Sequence, residues 1–173
     1  LMNTIHKNNR AFFLICISLL LVLGILSSVT MAAEDQIKVW SKAETKEKVK
    51  ENGKDVEKKV PAVKALPGTV IYYTTEFKNI SPKSVDGINI INPIPKLTSY
   101  IDKSAYGDNT DITFSVDGGK SWNTADKLKV KGKDGKMTTA KSTSYTHIRW
   151  KHKGPLASGK TGKALFQVKL LKP

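Results

Sequence analysis

Lys46-Glu47-Lys48-Val49-Lys50-Glu51-Asn52-Gly53-Lys54-Asp55-Val56-Glu57-Lys58-Lys59-Val60 is the stretch on which the fold class turns, because its glutamates and lysines alone would suit a helix. Asn52-Gly53 argues against one. Glycine in mid-helix costs about 1 kcal/mol relative to alanine, whereas Asn-Gly is the preferred pair for the two-residue type I′ turn of a β-hairpin. With the turn placed there, Glu51 faces Lys54, Lys50 faces Asp55, Val49 faces Val56, Lys48 faces Glu57 and Glu47 faces Lys58. Four of those pairs are opposite in charge and the fifth is apolar, each contributing roughly 0.2–1 kcal/mol. A helix would instead set Lys50 above Lys54 and Glu47 below Glu51, like charge on like. The stretch therefore predicts a polar hairpin, projecting or lying at a sheet edge.

The rest of the chain from Gln36 onward agrees with a β reading. Apolar residues recur with period two in short runs broken by Gly, Pro, Asn and Asp, the pattern of strands with one buried face. The clearest runs are Val70 to Phe77, Val85 to Ile91, Ile112 to Val116, Leu128 to Val130, Thr146 to Trp150 and Ala164 to Leu170. That spacing predicts an all-β, antiparallel β-sandwich. Asn92-Pro93-Ile94-Pro95 marks a strand end, since proline lacks the N–H that a central strand needs. Pro67-Gly68 and Leu156 to Gly162 read as turns.

Ahead of the strands, Lys7 and Arg10 give a positive start, Ala11 to Leu26 an apolar run, and Ser27 to Ala33 a small-residue zone before Glu34-Asp35. These three parts predict a secretory signal peptide over residues 1–33, with cleavage after Ala33 or Ala32. An uncleaved helical anchor is the alternative, because Ala11 to Val29 nearly reaches the ~20 residues of a membrane span. The expected organisation is signal peptide 1–33, N-terminal strand and charged hairpin 34–66, and sandwich core 67–173, the last two forming one domain. The location follows: exported, whether periplasmic, cell-surface or secreted.

The chain of 173 residues has 29 Lys plus Arg against 15 Asp plus Glu, a net charge of +14. Residues 1–33 hold two of the basic groups, no acidic ones and the single cysteine, Cys16, leaving 27 basic against 15 acidic residues, or +12, after cleavage. A mature chain without thiols excludes a disulfide scaffold, a cysteine metal site and a cysteine nucleophile.

Three motifs invite chemistry, and each has a structural explanation. Ser115-Val116-Asp117-Gly118-Gly119-Lys120-Ser121-Trp122 fits the Asp-box of sialidase propellers, with Ser121 in place of Thr. It is a turn device: Ser115 and Asp117 bond loop amides, the glycines accept positive φ, and Trp122 packs beneath. One copy does not make a propeller, and the positioned carboxylate pair of a glycosidase is missing. Tyr145 to His152 carries two histidines, but on a strand His147 shares a face with Arg149 and Lys151 while His152 shares one with Ile148 and Trp150. No metal site, cofactor or catalytic residue is assigned. Lys127-Leu128-Lys129-Val130-Lys131-Gly132-Lys133 alternates, placing lysines on one side about 7 Å apart. Together with Lys136, His147, Arg149, Lys151 and Lys153 they form a candidate surface for polyanions. Shielding of a sheet edge explains the same lysines equally well. Arg149 is the only arginine after residue 33, so diffuse attraction fits better than specific nucleic-acid recognition.

Several phrases in this order also resemble a known family: Leu66-Pro67-Gly68-Thr69-Val70-Ile71-Tyr72-Tyr73, Phe77-Lys78-Asn79, Asn92-Pro93-Ile94-Pro95, Ser115 to Gly119, Tyr145 to Trp150, and Leu156 to Gly162 followed by Ala164 to Val168. Together, over about Ile37 to Leu170, they resemble the "conserved repeat" domain of unknown function, eleventh in its naming series. The resemblance implies an immunoglobulin-like sandwich of bacterial and archaeal surface and secreted proteins. Thr69 stands where that family usually has Asp, and Asn92 where it often has Asp. The expectation is a non-enzymatic, exported envelope protein with a structural, adhesive or assembly role. The alternative is a soluble binder of lipopolysaccharide, extracellular DNA or acidic glycans. The expected partners are anionic envelope polymers or further copies of the chain, with Gln36 to Trp40 as a strand for exchange. Contact with a membrane would come only through an uncleaved signal segment.

Overall fold

The computed structural model describes residues 36–172; the expected signal peptide lies outside them. Ten strands follow in chain order: β1 (Ile37–Glu51), β2 (Lys54–Pro61), β3 (Val70–Asn79), β4 (Asn89–Pro93), β5 (Thr98–Tyr100), β6 (Thr110–Ser115), β7 (Lys129–Lys131), β8 (Met137–Thr139), β9 (His147–His152) and β10 (Thr161–Leu170). They form a five-stranded sheet in the order β2-β1-β3-β10-β5, a three-stranded sheet β4-β9-β6, and a ribbon β7-β8. Every pairing is antiparallel.

Period two places the core. In β10, Gly162, Ala164, Phe166 and Val168 are buried while Lys163 and Lys169 are exposed. In β9, Ile148 and Trp150 are wholly buried. Rings close the gap between the sheets: Trp150 lies 5.9 Å from Phe166 and Tyr100 lies 5.5 Å from Phe114, centroid to centroid. The indole Nε1–H of Trp150 donates to the Tyr106 carbonyl at 3.0 Å, which satisfies the one polar atom that burying this side chain would strand. The two sheets thus face each other in a sandwich-like, all-β arrangement.

The charged stretch is a hairpin at the edge of the larger sheet. Its register pairs Glu51 with Lys54, Lys50 with Asp55, Val49 with Val56, Lys48 with Glu57 and Glu47 with Lys58. Asn52 and Gly53 adopt φ of 51° and 77°, the double left-handed conformation that the type I′ turn requires. The ion pairs do not follow the direct pairing. Lys46 bonds Glu57 at 3.1 Å, and Lys58 pairs with Glu51, so long side chains reach diagonally across the twisted ribbon. Lys46 and Lys59, which face each other, sit 5.9 and 4.9 Å from the Tyr72 ring centroid. The ring face tolerates both ammonium groups.

Other expectations shift. Val85 to Ile91 is not one strand: Val85 makes an isolated bridge to Leu156, and β4 starts only at Asn89. Asp86-Gly87 breaks the run, with Gly87 N–H bonded to Asp86 Oδ1 and a φ of 71° that few other residues adopt. Pro93 closes β4, as its missing N–H requires. Within the single chain, Gln36 to Trp40 leads into and forms the start of β1, which pairs with β3 from Ile37↔Asn79 to Glu44↔Tyr72. Asn92 links the two sheets. Its Nδ2 donates to Thr75 Oγ1 at 2.9 Å, and Thr75 Oγ1 is bonded to Ser41 Oγ at 2.8 Å. This chain of bonds ties β4 of one sheet to β3 and β1 of the other.

Candidate functional site

Ser115 ends β6 and begins the Asp-box loop. Its buried Oγ donates to Asp117 Oδ1 at 2.7 Å and accepts the Gly119 N–H at 2.9 Å. Asp117 Oδ1 also accepts the N–H groups of Lys120 and Ser121 at 3.1 and 3.0 Å, while Oδ2 accepts the Ser121 hydroxyl at 2.6 Å. Gly118 and Gly119, at φ of 77° and 85°, give the loop the positive φ that a β-carbon would resist. Hydrogen bonds from the Ser115 and Ser121 side chains, and then from the loop amides, hold the Asp117 carboxyl well below the usual carboxylate range. Both carboxylate oxygens are therefore occupied in holding a turn.

Trp122 leaves this loop to lie on the outer face of the smaller sheet. Its ring sits 4.7 Å from Arg149 Cζ and meets His147 edge-on at 6.4 Å. Arg149 Nε donates to Thr113 Oγ1 at 3.1 Å, across the β6–β9 register. Thr146 Oγ1 accepts the Gly118 N–H at 3.1 Å, donates to the Ser115 carbonyl at 3.1 Å, and lies 3.2 Å from His147 Nδ1. The loop, the indole and the middle of β9 thus form one knob. The spacing of Tyr145 to Trp150 does not announce that Arg149 is covered, because its partner Trp122 comes from a separate hairpin.

No family model, curated protein or solved structure matches the chain. The functional reading rests on its own surfaces.

Those surfaces divide the candidate polyanion residues into groups. His147 and Arg149 share the outer face of β9 with Lys151, but both are half-buried and engaged, leaving Lys151 as the exposed cation of that face. Lys153 lies past the strand end and pairs with Asp111 at 3.0 Å. His152 turns to the opposite face, against Phe77, with Nδ1 2.9 Å from the Gly154 carbonyl oxygen. The two histidines therefore cannot hold one ion.

The lysine stripe is shorter than its alternation suggests. Only Lys129 to Lys131 is strand, because Lys127 sits in a turn with its N–H on the Thr124 carbonyl and Lys133 sits in the Gly132–Lys136 turn. Lys129 and Lys131 share a ribbon face with Met137 and Thr139, and Lys129 Nζ donates to Thr139 Oγ1 at 2.9 Å. Lys136, also exposed, lies in the turn leading to β8.

Apolar surface also appears where no motif points to it. Val39 and Trp40 in β1 are 50% and 40% exposed. Val39 belongs to the core-facing set of β1 with Ile37 and Ser41, yet borders an open groove lined also by Val85 to Ile90. In the sequence this surface shows only as the apolar pair Val39-Trp40 between Lys38 and Ser41.

The Asp117 network yields a pH prediction. A carboxyl whose folded pKa is depressed adds stability above its unfolded value of about 3.9, and that stability is lost as pH falls through the folded value. An Asp117→Asn variant should melt below wild type at pH 7, with the gap closing as pH falls below ~4. Thermal melts of both proteins between pH 2 and pH 7, roughly spanning that window, check it; a gap that stayed constant would contradict the role of the charged form.

Proposed function

We propose that this chain is an exported, non-enzymatic, immunoglobulin-like module of the cell envelope, with a structural, adhesive or assembly role. The observation that supports this best is the use to which its chemically capable side chains are put. Ser115, Asp117, Thr146, His147 and Arg149 bond or stack with one another and with loop amides. Enzymes need such groups poised toward a substrate with a hydrogen bond to spare. What the surface offers instead is strand edges, a lysine-rich ribbon and a projecting charged hairpin. The two facing antiparallel sheets are compatible with the resemblance to the conserved-repeat domain, and the Lys7-to-Ala33 pattern supplies the export signal.

A second reading, binding of anionic polymers, is favoured by one observation. Among the described residues, the exposed Lys127, Lys129, Lys131, Lys133 and Lys136 are crowded into one short stretch of chain and none of them forms an ion pair. Exposed ammonium groups without carboxylate partners keep their full attraction for a polyanion.

A single comparison separates the two. The purified protein should be retained by isolated envelopes at low salt and released as salt rises. Lys129→Glu/Lys131→Glu leaves envelope retention unchanged if a specific surface contact holds the protein. If polyanion binding holds it, the same variant elutes at lower salt from a DNA column, and the slope of log K against log salt falls by about 0.9 for each phosphate no longer neutralised. Salt-independent behaviour on both materials would sink the polyanion reading, and failure to bind envelopes at any salt would sink the first.

A further inference from the structure

The geometry points to a self-association surface: the free edge of β1 at Ile37–Ser41 pairs antiparallel with the same edge of a second copy, in a register centred on Val39. This deepens the assembly role above and rests on it only for where the copies meet.

The edge is defined by hydrogen bonds on either side of it. The Gln36 carbonyl is taken by Ile80 N–H on the β3 side, and the Ala43 carbonyl by Ala62 N–H on the β2 side. Backbone groups of a strand alternate in direction, so Ile37, Val39 and Ser41 aim their N–H and C=O groups the same way as Ala43. On that side β2 stops at Pro61, opposite Glu44. Among the described residues, no backbone hydrogen bond reaches Ile37, Val39 or Ser41 from that side. An unpaired row of this kind is a template for another strand.

Other sheet edges are guarded: β4 ends at Pro93, β5 has three residues, β2 carries Lys54, Asp55, Glu57, Lys58 and Lys59, and β6 is bridged at Phe114 by Asn123. The free part of β1 carries one charge, Lys38, beside the exposed Val39 and Trp40.

The sequence of this edge selects its own copy and one register. Twofold pairing within a continuous sheet keeps side chains on their faces, so only residues of the same parity can face each other. Pairing Ile37 with Val39 would set Lys38 against Lys38, and pairing Val39 with Ser41 would set Lys38 against Lys42. Like charges directly opposite are destabilising. Centring on Ser41 would need Ala43, whose carbonyl is already taken by Ala62. Centring on Val39 avoids all three conflicts. Val39 then faces Val39, Ile37 faces Ser41, Gln36 faces Lys42, and each Lys38 faces a Trp40 indole, a cation–π pair formed twice. The outward groups of Ile37, Val39 and Ser41 are all used, and the half-exposed Val39 becomes covered.

An edge of this length buries less than the 1,200–2,000 Å² of a stable interface. Dissociation constants of roughly tens to hundreds of micromolar are expected.

Sedimentation equilibrium of the purified protein across that range should show a monomer–dimer equilibrium, and Val39→Lys should weaken it at least tenfold. Cross-linking tests the register independently of that variant. In a Cys16→Ser background, Val39→Cys brings two thiols opposite each other at a Cα separation of about 5.5 Å, within disulfide range, so mild oxidation should give a covalent dimer. Lys38→Cys, which would face Trp40, should cross-link far less. A chain that stays monomeric throughout the range overturns the inference. So does a dimer that Val39→Lys leaves intact, or one in which Lys38→Cys cross-links as readily as Val39→Cys. An exported, envelope-bound monomer refutes this pairing alone, while a cytoplasmic dimer refutes the envelope role alone.

Discussion

Gly162→Ala should destabilise the protein by about 2–3 kcal/mol, toward the upper end for overpacking a core. Gly162 faces Phe77 across the β3–β10 register, and a β-carbon there would stand 2.5 Å from Phe77 Cε2, and nearer still to Cζ. Phe77 has no exposed surface and meets His152 edge-on at 6.1 Å, so its ring must displace neighbours that are themselves packed. For a domain of this size the loss lowers the melting midpoint by roughly 3–5 °C per kcal/mol. The collision is with the tip of the ring. Phe77→Leu, costly by itself, should therefore cost less in the Gly162→Ala background than in wild type, with a coupling of about 1 kcal/mol or more for residues in contact. Thermal or urea unfolding of the two single variants and the double variant measures this. Additive effects would mean that the ring escapes the added methyl group.

Asn79→Asp should be at least as damaging at neutral pH, although it changes a single non-hydrogen atom. Asn79 is completely buried. Its Nδ2 donates to the carbonyls of Lys83 and Leu156 at 2.7 and 2.8 Å, and its Oδ1 accepts the N–H and hydroxyl of Ser81, both at 2.9 Å. Its backbone is clamped as well, to Lys160 and Gly159. A carboxylate there would turn an oxygen toward two carbonyl oxygens and carry an unpaired buried charge, worth about 3 kcal/mol or more. Burial raises the pKa of the introduced carboxyl in the folded state. Its penalty is therefore full above that folded pKa and shrinks as pH falls through it, since the protonated form regains one donor. Melts of Asn79→Asp at pH 7 and near pH 4.5 should show the deficit narrowing on acidification. An equal deficit at both values would mean that the loss is not electrostatic.

These two residues mark where the sequence was legible and where it was not. The hairpin register could be read because Asn52-Gly53 sets it locally, and the two faces of β9 could be read because strand period is local as well. In the sequence Asn79 and Gly162 stand only at the end of Phe77-Lys78-Asn79 and at the close of the Leu156-to-Gly162 turn. What they do depends on Leu156 and Phe77, which approach from distant stretches of chain.

The same boundary runs through the candidate site. Asp-box bonding among Ser115, Asp117 and the loop amides follows from neighbouring residues. The stacking of Arg149 on Trp122, and the pairing of Lys153 with Asp111, depend on which strands lie side by side. Lys127 and Lys133 fall outside the stripe because turns at Thr124 and at Gly132 cut the alternation to three strand residues. The open edge at Val39 is set by where β2 ends, at Pro61, which is a fact of sheet order rather than of hydrophobic pattern.

Export from the cytoplasm is the claim on which the envelope reading depends, and the mass and N-terminal sequence of the chain recovered from fractionated cells test it most directly. A chain beginning at Glu34 or Ala33 is expected in the periplasmic, surface or secreted fraction. An unprocessed chain found in the cytoplasm would contradict it.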